Sequence, residues 1–272
     1  MLISFIKRLL GKLYKYYSRI EYKQNKKMNS KYNLELKIAE VSIKYPKLRD
    51  QYDYFHKYFW NRAPEWLKIH RNFFSKNSRS FGEDSFYAMW YLLFQYVRPK
   101  SFLEIGVYRG ATLSLARSLS NHLDLKCEIM GISPFINIGD SVSKYEDFDY
   151  LNDVLKFSAL CGAPIYPKEL CISLSNSPEG VKTITSHKWD IIYIDGNHDY
   201  EFVKSDFTLC QQYINPNGYI VLDDAALYTS YNPRSFSSKG HPGPSRVVQE
   251  ALRNGFYIFI QVGHNIVLKK NR

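Results

Sequence analysis

Two apolar runs end in acidic clusters. Trp189-Asp190-Ile191-Ile192-Tyr193-Ile194 breaks into Asp195-Gly196-Asn197-His198-Asp199-Tyr200, and Tyr219-Ile220-Val221-Leu222 breaks into Asp223-Asp224. Polar groups that directly follow a buried run stand at the carboxyl edge of a sheet, where open α/β sheets bind ligands. If the two runs are neighbouring strands, Asp195, Asp223 and Asp224 converge. Three carboxylates at one edge repel one another unless something positive separates them, and a hard divalent cation with oxygen ligands is the simplest solution, Mg²⁺ with Mn²⁺ as substitute. Each aspartate alone could equally cap a following helix; their combination at two strand ends points to a metal. His198 is the first candidate for a general base, since imidazole titrates near neutrality, and Asp199 is the second. His198 could also serve only to orient Asp195 or hydrogen-bond the loop.

A third constellation is Leu103-Glu104-Ile105-Gly106-Val107-Tyr108-Arg109-Gly110. Its glycines let backbone approach a ligand closely, but the spacing is not the GxGxxG of dinucleotide domains, and alone it supports only a nucleotide-like ligand. The stretch 225–245, rich in Gly, Pro and aromatic residues, directly follows the Asp223-Asp224 pair. Its position suggests a substrate lid carrying Tyr228, Tyr231, Arg234 and His241.

The elements that must position these groups are punctuated regularly from Asp84 onward. A helix over 84–97 precedes a strand over 101–107, a glycine turn and a helix over 112–120. Strands at 128–132, 169–174, 190–194 and 219–222 alternate with helical stretches near 146–160, 178–186 and 200–213, which argues for an α/β domain with a mostly parallel sheet. A helix over 245–253 is followed by runs 256–262 and 265–268 that flank Gly263-His264 as a terminal antiparallel hairpin.

The first 80 residues differ in kind. The chain of 272 residues has a formal charge of +11, and residues 1–80 hold 19 Lys and Arg against 6 Asp and Glu, so the remainder is close to neutral at −2. Residues 2–20 place Leu2, Ile6, Leu9, Leu13, Tyr17 and Ile20 at helical spacing, with Lys7, Arg8, Lys12, Lys15 and Arg19 elsewhere on the wheel. Such a basic amphipathic helix can pack on its own domain or on a second copy in a homo-oligomer, or lie on an anionic membrane surface. Residues 21–32 read as a polar linker, and 33–80 as short helices broken at Pro46 and Pro64. The expected division is therefore a basic, mainly helical extension over 1–80 and an α/β domain over 81–272. Four scattered cysteines offer neither a zinc knuckle nor a CxxC redox motif and suit a reducing cytoplasm. No apolar run approaches the length of a membrane span or the pattern of a secretion signal.

In order and spacing, the segment from Glu104 to Gly110, that from Ile194 to Tyr200, Asp206, the Asn215 to Gly218 turn and the segment from Val221 to Asp224 resemble the class I S-adenosylmethionine-dependent methyltransferases. The likeness is to the branch containing metal-dependent O-methyltransferases of sugars and macrolide glycosides, and covers residues 84–268. It implies a Rossmann-like, seven-stranded, mostly parallel sheet with a C-terminal antiparallel hairpin. It implies S-adenosyl-L-methionine bound by Glu104, Gly106, Tyr108, Gly110 and Asp195, metal ligands Asp195, Asp223 and Asp224, and a base at His198. The implied reaction is Mg²⁺-assisted O-methylation of a small hydroxylated acceptor, a sugar of a glycan or a glycosylated metabolite. One departure matters: where the family places an acidic residue for the ribose hydroxyls, this chain has Ser133. Serine lacks the charge and bidentate reach of a carboxylate, so Asp140 is expected to reach back. The same departure allows a non-catalytic relative acting as a scaffold. Nucleic-acid binding or RNA methylation ranks lower, because no RNA-binding module accompanies the basic segment. The expected location is the cytoplasm, with contact at the inner face of the membrane through residues 2–20.

Overall fold

The computed structural model describes residues 2–27, 29–144 and 146–271, except the side chains of residues 2–6 and 9. Four helices come first: α1 (Leu2–Asn25), α2 (Ile38–Lys44), α3 (Leu48–Asn61) and α4 (Glu65–Phe74). Proline places two of the breaks. It disfavours helical geometry in the residue before it, and here Pro46 precedes α3 while Pro64 takes the extended N-cap of α4. The helix α5 (Asp84–Val97) then feeds an alternating series: β1 (Ser101–Ile105), α6 (Ala111–His122), β2 (Glu128–Ser133), α7 (Tyr150–Leu160), β3 (Leu170–Ile172), α8 (Pro178–Ile184), β4 (Trp189–Ile194), α9 (Tyr200–Cys210), β5 (Ile214–Leu222), α10 (Pro242–Arg253), β6 (Phe256–Val262) and β7 (Asn265–Lys270).

The seven strands form one sheet in the order β3-β2-β1-β4-β5-β7-β6. The first five run parallel, and β7 inserts antiparallel between β5 and β6. This is the α/β sheet with a terminal hairpin that the alternation predicted. All five residues of β1 are buried, as expected for a parallel strand covered by helices on both faces. The strand order reverses between β1 and β4, so the turns after these two strands flank the switch point where such sheets open a crevice. Ile105 pairs with Ile194, and Ile194 with Leu222, which brings the glycine turn, Asp195 and Asp223 to one edge.

The segment 215–218, expected as a turn, lies inside β5. Pro216 has no N–H for the ladder, and the β4–β5 register shifts between Trp189 and Ile191, as a bulge requires. Asn215 supports it by donating to Asp190 Oδ1 at 2.7 Å. The expected linker over 21–32 is also partly helix. Glu21 and Asn25 are buried in the last turns of α1 and tie it to α3: Arg49 donates to Glu21, Asn25 donates to Asp53, and Lys57 donates to Asn25. Polarity here marks a buried hydrogen-bonded joint. Tyr32, Leu34, Ile38 and the aromatic residues of α3 lie in the same buried cluster as the sheet.

The outer part of α1 is different. Leu10, Leu13, Tyr14, Tyr16 and Tyr17 are exposed, and the expected face residues Leu2, Ile6 and Leu9 have side chains outside the described residues. Among the described residues, no helix is long and apolar enough to cross a membrane.

Candidate active site

Two cavities open at the carboxyl edge of the sheet, and Asp195 and Tyr108 line both. The first is a cleft over the ends of β1 and β2, lined by Gly106, Ser133, Phe135, Tyr150 and Asp206 among others. Gly106 makes it possible. Its φ is +91°, and a Cβ there would lie 2.2 Å from the carbonyl oxygen of Asp195, so any side chain would force β1 and β4 apart. The second cavity, of about 660 Å³, lies under the stretch 235–241 and combines acidic groups with the rings of Phe81, Phe86, Trp90 and Phe236.

The carboxylates do converge, but imidazoles stand between them. His264, at the tip of the β6–β7 hairpin, lies with Nδ1 3.0 Å from both Asp223 Oδ1 and Asp224 Oδ1, and Nε2 3.6 Å from Glu83 Oε1. Asn265 donates to Asp223 Oδ1 at 2.7 Å. On the other side, His198 Nε2 and His241 Nε2 lie 3.3 and 3.4 Å from Asp224 Oδ2. Burial opposes charge on both His198 and His264, but the carboxylates outweigh it. Asp224 and Asp140 push His198 up to about 9, and Asp223, Asp224 and Glu83 hold His264 well above the usual histidine range. Burial likewise opposes ionisation of Asp224, and His198 and His264 still hold it well below the usual carboxylate range. Asp195 behaves oppositely. Burial, then Asp223 and Glu104, raise it well above that range, while Tyr193 donates to its Oδ2 at 3.0 Å.

These positions revise several expectations. The imidazoles of His198 and His264 stand among the aspartates, and these carboxylates raise both rings. Among the described residues, the metal-donor groups that converge are Asp223–Asp224–His264 and His198–Asp224–His241; neither contains Asp195, and each contains imidazole. Mg²⁺ prefers a near-octahedral oxygen shell and retains water, and the all-oxygen set Asp195–Asp223–Asp224 is not among the groups assembled by the described residues. The carboxylates that raise His198 favour its protonated form, which works against its use as the base in the absence of a bound cation. Asp199 accepts from Ser141 Oγ at the start of α9 and lines neither cavity.

Among the expected cofactor residues, Gly106, Tyr108, Ser133, Asp140 and Asp195 line the cleft. Asp140 lines the same cleft as Ser133, with its carboxylate engaged within the protein. Its Oδ1 accepts from the Val142 and Ser143 amides, and its Oδ2 from the amide and Nδ1 of His198. Glu104 faces the second cavity instead, fully buried, with burial and Asp223 raising it well above its ordinary value. Gly110 lines neither cavity; it caps α6 at φ +82° against Val154.

The lid expectation divides similarly. Ser235–Ser238 and His241 line the second cavity, while Tyr228, Tyr231 and Arg234 do not. Tyr231 is buried against Tyr52, and Arg234 is locked to Asp53 and Glu21. Glu21 also accepts from the Ser235 amide at 2.9 Å, and Tyr14 donates to the Ser235 carbonyl at 2.6 Å. The basic segment thus holds the stretch that roofs the site.

Sequence reading missed His264. The antiparallel register Leu222 to Ile266 carries one step to Asp223 opposite Asn265 and a second to Asp224 opposite His264, so extending the hairpin pairing would have found it. Asp206, a motif residue of the sequence resemblance, is buried in the cleft beside Ser175.

Residues 103–225 match the family described as a methyltransferase domain. An uncharacterised protein of Acanthamoeba polyphaga mimivirus is 27% identical over 157 residues, 55% of this chain; the chain spans 60% of that relative's length. Among solved structures, the O-methyltransferase from Bacillus cereus in complex with SAH is 13% identical, with a TM-score of 0.51 over 78% of this chain and 93% of that one. The cofactor-bound Rv0187 from MTB is also 13% identical, with a TM-score of 0.51 over 81% and 96%. These two likenesses establish the fold.

Proposed function

We propose that this protein, whose residues 103–225 match the family described as a methyltransferase domain and whose fold resembles that of an SAH-bound O-methyltransferase, transfers a methyl group from S-adenosylmethionine to a hydroxyl oxygen of a small, sugar-like acceptor. The observation that carries this reading is the meeting of the two cavities at Asp195 and Tyr108. The cleft takes the cofactor; its backbone-lined floor at Gly106 and its apolar and aromatic walls suit a nucleoside and an amino-acid tail. The cofactor supplies an electrophilic sulfonium methyl group. The second cavity takes the acceptor. Aromatic faces with carboxylates beside them suit a ring that is apolar on its faces and rich in hydroxyl donors.

Transfer forms the acceptor O–CH₃ bond as the CH₃–S bond breaks, the bonding pair going to sulfur. The hydroxyl proton passes to the carboxylate of Asp195, which borders both cavities. A carboxyl raised by burial is a stronger proton acceptor once ionised, and because the raised pKa keeps it protonated at lower pH, transfer should increase as pH rises. His198 and His264 keep Asp224 and Asp223 in place, and Phe236 with Phe81 excludes water from the reacting atoms. Asp195→Asn tests this assignment: transfer of labelled methyl to a panel of sugars and glycosides should fall by about 10²–10⁴-fold, with cofactor affinity changed far less. Full activity in that variant refutes Asp195 as the base.

We further propose that the outer part of α1 docks on an anionic lipid surface. The outer part of α1 presents five large apolar residues to solvent beside Lys7, Arg8, Lys12, Lys15 and Arg19, with no acidic residue before Glu21, which is the chemistry of an anionic lipid surface.

A further inference from the structure

We propose that His198, His241 and Asp224 form a binding site for a divalent transition ion of the Zn²⁺ class. Asp224 Oδ2 lies 3.3 Å from His198 Nε2 and 3.4 Å from His241 Nε2, and the three donor atoms all lie within 4.8 Å of one another. Zinc–nitrogen and zinc–oxygen bonds of about 2.0–2.2 Å at tetrahedral angles place neighbouring donors about 3.3–3.6 Å apart. Two of the three edges therefore already have the length of a first coordination shell.

The second observation is independent of that spacing. His198 is anchored from behind: its Nδ1 pairs with Asp140 Oδ2 at 2.7 Å, and the Asp140 carboxylate is itself held by three backbone amides. This is the carboxylate–histidine arrangement that fixes a metal-binding imidazole with its other nitrogen forward. The forward nitrogen, Nε2, is buried in a side chain only 9% exposed and has no hydrogen-bond partner; its 3.3 Å approach to Asp224 is a charge contact without hydrogen-bond alignment.

His241 is positioned as firmly. Its amide donates to the Asp224 carbonyl at 2.7 Å, and the preceding Gly240, at φ +84°, packs so closely that a Cβ would lie 2.2 Å from that carbonyl. Two nitrogens and one oxygen suit a borderline ion rather than Mg²⁺. All three residues line the cavity of about 660 Å³, so a fourth position faces that space, where water or an acceptor oxygen can bind.

The test uses the full chain, stripped with a chelator and titrated with Co²⁺ in the absence of cofactor and acceptor. The expected result is one Co²⁺ per chain with the intense visible band of a tetrahedral site. Zn²⁺ should abolish the band and a large excess of Mg²⁺ should leave it intact. His241→Ala, at a partly exposed position, should weaken Co²⁺ binding by at least about tenfold, as should Asp140→Asn with its imidazole anchor weakened. Both variants are checked by thermal melting. Equal Co²⁺ affinity in wild type and folded variants, or displacement of Co²⁺ by stoichiometric Mg²⁺, would overturn the proposal. Because this readout involves no methyl transfer, its failure leaves the methyltransferase reading standing.

Discussion

Replacing Asp206 by Asn removes one buried charge from the wall of the cofactor cleft and keeps its shape. The side chain is 6% exposed, and Ser175 Oγ donates to its Oδ1 at 2.6 Å. Burial pushes the carboxyl from 3.8 up to about 6, against the pull of the Ser175 hydrogen bond. The folded chain therefore holds this proton more tightly than the unfolded chain. Between about pH 4 and 6 the folded state binds more protons, so this group's contribution to stability falls as pH rises through that window. A difference of about two pH units costs about 3 kcal/mol once both states are ionised. Asn accepts the same Ser175 hydrogen bond and does not titrate. Urea denaturation should find Asp206→Asn more stable than wild type by about 3 kcal/mol near pH 7.5, and within about 0.5 kcal/mol of it near pH 4. An equal difference at both pH values, or no gain at the higher one, would refute the argument.

Further tests address the roof and the surface. Arg234→Met leaves Asp53, 3% exposed, without its main cation, and breaking such a buried pair should cost about 3–5 kcal/mol. Adding Asp53→Asn should recover at least about 1 kcal/mol of that loss, and strict additivity in the double-mutant cycle would contradict the clamp. In sedimentation with vesicles, the protein should bind anionic and not neutral lipid. Lys12→Glu with Lys15→Glu should weaken binding by tenfold or more, since each surface cation contributes about 1 kcal/mol; indifference to lipid charge would remove α1 as a membrane contact.

The sheet and its order of elements were legible because buried parallel strands print as short apolar runs, and because glycine, proline and acidic residues mark their ends. Asp195, Asp223 and Asp224 were legible for the same reason, standing directly at the ends of such runs. What could not be read was which cations would meet them. His264 arrives from a hairpin 40 residues after Asp224, His241 from the start of α10, and Asp140 from a loop whose backbone folds around it. Arg234 illustrates the opposite error. A charged residue in a Gly/Pro-rich stretch reads as a ligand contact, and only the tertiary structure reveals Asp53 and Glu21 waiting for it. The polar residues of 21–32 misled similarly, since sequence polarity does not separate solvated linkers from buried hydrogen-bonded joints.

Calorimetric titration of S-adenosylmethionine into the full chain tests most directly whether the cleft over Gly106 binds the cofactor. One saturable site per chain is expected in wild type, and loss of that site in Gly106→Ala, whose new Cβ would collide with the Asp195 carbonyl at 2.2 Å. Absence of cofactor binding to the wild-type protein, whether or not divalent metal is present, would contradict it.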